Sequence, residues 1–133
     1  MKVAVAVAAA CALLVSTQAA DAAGRTVFPR DCRHEAYKPR QIVIACGDGN
    51  LYVTRLHWSH WRTGSALGTG TAHANDCTPN CAAGHFHTYR AQIKLSKPAT
   101  CGNGVRQFTS LRFTYTGRAP SGPRSYSTPF PCP

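Results

Sequence analysis

Six cysteines that follow residue 22 constrain the fold of this chain more than any other feature: Cys32, Cys46, Cys77, Cys81, Cys101 and Cys132. They come after what reads as a secretory leader. Met1-Lys2 precedes an unbroken small-apolar run from Val3 to Val15, and Ala20-Asp21-Ala22 offers an Ala-x-Ala cleavage site, so residues 1–22 are expected to be a signal peptide. The run is shorter than the roughly 20 residues a membrane-spanning helix needs, and a soluble, exported protein is expected. Cys11 lies within the run and is discarded with it. An even number of cysteines in an exported chain implies three disulfides. Zinc fits less well, because paired C-x-x-C knuckles are missing. Six cysteines allow fifteen connectivities; the four-residue step from Cys77 to Cys81 can close around Pro79, and Cys32 with Cys46 and Cys101 with Cys132 would then staple the start and the end.

The remaining pattern is that of strands. Gln41 to Cys46 is β-branched and runs into Gly47-Asp48-Gly49-Asn50, a turn. Leu51 to Trp58 alternates, with Tyr52, Thr54, Leu56 and Trp58 on one face and Leu51, Val53, Arg55 and His57 on the other. In Ser65 to Ala74, Ala66, Gly68, Gly70 and Ala72 form a face with almost no side-chain volume, over which Trp58 or Trp61 can lie or at which the sheet can bend. From His85 to Leu95, Tyr89, Ala91, Ile93 and Leu95 face in, while Thr88, Arg90, Gln92 and Lys94 face out. Phe108 to Thr116 is the last strand, presenting Leu111, Phe113 and Tyr115 to one side. No long stretch keeps a helical period. The expectation is an all-β, disulfide-braced sandwich or small barrel of five to seven short strands over residues 41–117. A basic, irregular arm (23–40) precedes it, and a Pro/Gly/Ser-rich tail (118–133) pinned by Cys132 follows.

Several of these segments, taken in order, resemble a family of small exported actinobacterial proteins. They are Cys46-Gly47-Asp48-Gly49-Asn50, Leu56-x-Trp58-x-x-Trp61, Ala66-x-Gly68-x-Gly70, Asn75-x-Cys77-x-Pro79-x-Cys81-Ala82-x-Gly84 and Phe86-His87-x-Tyr89. The likeness spans about residues 42–95 and implies export and a β-rich disulfide domain, with no particular chemistry attached. Arg62 replaces a Gly of that pattern and Arg90 a Pro, which makes this chain more basic.

Charge is the strongest physical feature. The chain of 133 residues carries 15 Lys+Arg against 5 Asp+Glu, a net +10, and loss of the leader leaves that value unchanged because Lys2 and Asp21 go together. Arg55, Arg62, Arg90, Lys94 and Lys97 are candidates for a basic surface that binds a nucleic acid, an anionic cell-wall polymer or an acidic partner. Tyr52, Trp58 and Trp61 are candidates for a stacking platform, although the Gly/Ala row facing them points to core packing for at least one Trp. His57, His73, His85 and His87 are the candidate metal ligands, with His85-x-His87 at a strand start able to chelate if a third imidazole arrives. A nuclease would draw its acid and base from His34, Glu35, His57, His85 and His87, and its cation from Arg55, Arg90 or Lys94. Nothing in their spacing selects a pair. No G-x-S-x-G elbow is present, and Asp31, Glu35, Asp48 and Asp76 are the only acids beyond the leader, so triad and carboxylate-pair chemistry are disfavoured. Gly47-Asp48-Gly49-Asn50 does not continue into a calcium loop. The expected protein is therefore a secreted monomer without cofactor or catalytic residues, a binder of an anionic polymer or protein at the cell envelope. The alternative is a histidine-centred metal or hydrolytic site.

Overall fold

The computed structural model describes residues 25–133, so the expected leader and Cys11 lie outside the described residues. The chain is all-β. Among the described residues eight strands form: β1 Phe28–Pro29, β2 Glu35–Ala36, β3 Ile42–Val43, β4 Leu51–Trp61, β5 Ala66–Asn75, β6 Phe86–Thr100, β7 Arg106–Tyr115 and β8 Ser125–Pro129. β3 to β8 make a six-stranded antiparallel meander in chain order, curled into a half-barrel, and β1 pairs with β2 in a small second sheet. The strand number exceeds the five to seven expected because the arm and the tail, read as irregular, contribute strands of their own. The bridges are Cys32–Cys46, Cys77–Cys81 and Cys101–Cys132, the same three pairs that spacing favoured.

The inner face is built by alternation. Ala66, Ala72, Ala91, Ile93, Leu95, Leu111 and Phe113 are buried from β5 to β7, and each large side chain removed from water stabilises the fold by about 1.5–3 kcal/mol. Arm and tail cover this face: Phe28 and Phe130 are both buried in the same cluster, with ring centroids 4.7 Å apart. The two tryptophans hold the arm. Trp61 Nε1 donates to the Thr26 carbonyl at 2.8 Å and Trp58 Nε1 to the Pro39 carbonyl at 2.9 Å, while the two rings meet edge to face at 4.6 Å. Val27 completes the arm's attachment by bridging Gln107 in parallel, its N–H donating to the Arg106 carbonyl and its carbonyl accepting from Phe108. It occupies the edge of β7 that β8 leaves free beyond Ser110.

One expectation fails within β4. Strict alternation would put Val53 and Leu56 on opposite faces, yet both are buried in the core. The register explains this: Thr54 pairs with Thr71 and His57 with Thr69, so Arg55 and Leu56 together oppose the single residue Gly70. This is a β-bulge, with Arg55 at φ 52°. Gly70 is required opposite it, because a Cβ there would come within 2.7 Å of the Thr54 carbonyl and 2.9 Å of Val53. Gly68 serves the neighbouring role of a bed for Trp58, whose ring would lie 2.7 Å from an added Cβ.

Candidate functional site

Cross-strand partners share a face, so the register defines the outer surface of the meander without ambiguity. The inward row of β6 is Tyr89, Ala91, Ile93 and Leu95, and its outward row is Phe86, Thr88, Arg90, Gln92 and Lys94. Lys94 pairs directly with Arg112 of β7, and Arg90 lies opposite Thr71 of β5. The bulge brings Arg55 to the same surface, where it lines a shallow depression of about 350 Å³ with His57, Thr69, Thr71, Arg90 and Thr116. Arg55, Arg90, Lys94 and Arg112 are all exposed.

Among the described residues no carboxylate answers these charges. Strands β4 to β8 contain no Asp or Glu, and the ion pairs among the described residues use Asp31 with Arg30 and His34, and Asp76 with His87. Like charges placed directly opposite on one face of a sheet destabilise it. Lys94 and Arg112 are such a pair.

Of the sequence candidates, Arg55, Arg90 and Lys94 are thus gathered on one face. Arg62 is exposed in the turn after β4, and Lys97 is exposed at φ 52° beyond the last β5–β6 pair. Arg112 was missed, although the alternation of Leu111, Phe113 and Tyr115 already turns it outward.

The histidines are dispersed. His57 pairs with Thr69, four residues from His73 along β5, a separation of about 13 Å. His87 belongs to the inward row of β6 at its exposed start, and its Nε2 lies 2.9 Å from Asp76 Oδ2. His85 is exposed before the strand, its backbone N–H donating to Asp76 Oδ1. Among the described residues no three His, Cys, Asp or Glu side chains converge as metal ligands. Asp76 instead organises its loop. Hydrogen bonds from the His85 N–H, the His87 ring and the Thr78 N–H hold its carboxyl far below the usual carboxylate range.

The expected aromatic platform is also rearranged. Trp58 and Trp61 pack inward, whereas Tyr52 lies on the outer face, its ring stacked on His73 with centroids 4.5 Å apart and planes 5° from parallel. Phe86 approaches Tyr52 at 5.5 Å. Thr54 Oγ1 and His73 Nε2 are 2.9 Å apart, and burial, aided by the Arg55 charge, pushes the His73 pKa below its ordinary value, which favours the neutral ring. A groove of about 700 Å³ between the arm, the residues after β3 and the tail, around buried Gln107, shares no residue with this surface.

No family model, curated protein or solved structure matches the chain significantly. Among the described residues no helix is long and apolar enough to cross a membrane.

Proposed function

We propose that this protein is an exported, non-catalytic domain that holds an anionic polymer on the outer face of its meander. The observation that carries this reading is the Lys94–Arg112 pair, two like charges set directly opposite each other on a surface without carboxylates. Such a pair costs the free protein stability, and a bound anion relieves that cost. Arg90 extends the site along β6 and Arg55 across the bulge, while Thr69, Thr71, Thr88 and Gln92 offer neutral hydrogen-bonding groups between the cations. Three disulfides fit an extracellular setting.

The test is binding to long-chain polyphosphate. Lys94→Gln with Arg112→Gln should lower affinity about tenfold or more while leaving thermal stability equal or higher, and Arg33→Gln, on the arm away from this face, should change little. Undiminished binding by the Lys94/Arg112 variant would overturn the reading.

A further inference from the structure

Three aromatic or imidazole rings stand at one end of the cationic face, and wall polymers built of polyols and phosphate have nothing to place against them. Phe86 heads the outward row of β6 that continues through Thr88, Arg90, Gln92 and Lys94. It is 47% exposed, leaving much of an apolar ring open to a partner. Tyr37 is the other large exposed hydrophobic side chain among the described residues, and it is covered by Arg25 and Lys38, whose charges lie 5.0 and 5.3 Å from its ring centroid. Phe86 meets only the edge of the Tyr52–His73 stack, at 58° to Tyr52. The stack itself is paired across β4 and β5, and Thr54 holds its His73 ring.

Rings for stacking, followed along the same row by cations, suit a strand whose flat units alternate with phosphates. Building on the polyanion reading of this face, we infer that its ligand is a single-stranded nucleic acid, with a base stacked on Phe86 beside Tyr52 and the phosphates running past Arg90 towards Lys94 and Arg112. Base stacking tolerates any sequence, so little base preference is expected, and Thr88 and Gln92 are placed to meet base edges or sugars. A duplex keeps its bases stacked inside and cannot use Phe86.

The experiment titrates the oxidised protein, by fluorescence anisotropy, with labelled oligothymidylate, an abasic oligomer of equal length and poly(glycerol phosphate), with polyphosphate binding measured in parallel. Oligothymidylate should bind at least about fivefold more tightly than the abasic oligomer, the range set by one stacked base. Phe86→Ala should abolish that difference and leave polyphosphate binding unchanged, and Phe86→Trp should preserve it. Equal binding of oligothymidylate, abasic oligomer and poly(glycerol phosphate), with Phe86→Ala without effect, would overturn the inference while polyphosphate binding upholds the cationic face. Failure of polyphosphate and oligomers alike would overturn both.

Discussion

Arg55 sits where a glycine would be at ease. Its φ of 52° lies in the left-handed region, which costs a residue with a Cβ about 1 kcal/mol or more, and the bulge it occupies most often takes Gly at that place. Strain kept at an exposed position points to a use for the side chain, and this guanidinium reaches the depression it shares with Arg90 and His57. Arg55→Gly should therefore separate stability from function: thermal unfolding should shift upward or stay level, while polyphosphate affinity falls several-fold. A variant that loses stability would show that the Arg55 side chain supports the bulge itself. The opposing residue, Gly70, was legible as part of a small-residue row, but the reason for it was not, because the bulge is announced by no glycine in β4. Phe86 and Arg112 were legible in principle, since each falls on the polar side of a clear alternation. What hid them was the missing register between strands, without which outward residues cannot be assembled into a face.

Strands β4 to β7 were readable because their inward rows are apolar and their outward rows polar, and each spans ten or more residues. β8 was not, because Ser125–Pro129 has no apolar row and lies in a Pro/Gly/Ser-rich tail. Its order comes from outside the segment, from pairing with β7 and from the Cys101–Cys132 bridge. The loop between β5 and β6 shows the opposite balance, for its short-range sequence explains its conformation. Asp76 accepts hydrogen bonds from the Thr78 and His85 backbone N–H groups, Asn75 Oδ1 accepts from the Cys77 N–H, and Gly84 packs so closely that a Cβ there would collide with Asn75 Oδ1. Because the folded state depresses the Asp76 pKa, its contribution is present above the unfolded carboxylate value, near pH 4, and is lost as pH falls below that towards the folded value. Asp76→Asn should lower the Tm at pH 7, with the difference from the parent shrinking steadily as the pH is taken below about 4. A gap that stays constant to low pH would show that the loop depends on the shape of the side chain and not on its charge.

At the scale of the whole molecule, a net charge of +10 invites the view that any attraction to polyanions is spread evenly over the surface. The distribution of charge argues otherwise. The acids of the described residues lie in the arm and in turns, at Asp31, Glu35, Asp48 and Asp76, so the arm is partly neutralised, with Asp31 held at a pKa of about 2 beside His34. Strands β4 to β8 themselves carry only cations, and the one acid between them is Asp76 in the loop after β5. These two pictures differ in how binding responds to salt. Each phosphate contact to a single strand contributes about −0.7 to the slope of log K against log salt, so contacts by Arg55, Arg90, Lys94 and Arg112 should give a slope of about −3. Removing Lys94 and Arg112 together should bring the slope to roughly half that value, because each lost cation releases one fewer counterion. If attraction were diffuse, the remaining basic residues would take over those contacts and the slope would hardly move. Titrations of oligothymidylate and polyphosphate across a range of salt, with the parent and the double variant, therefore decide between a defined face and a general positive field. The defined face requires the slope to fall for both polymers, since its phosphate contacts are common to both, whereas the stacking increment from Phe86 should persist at high salt.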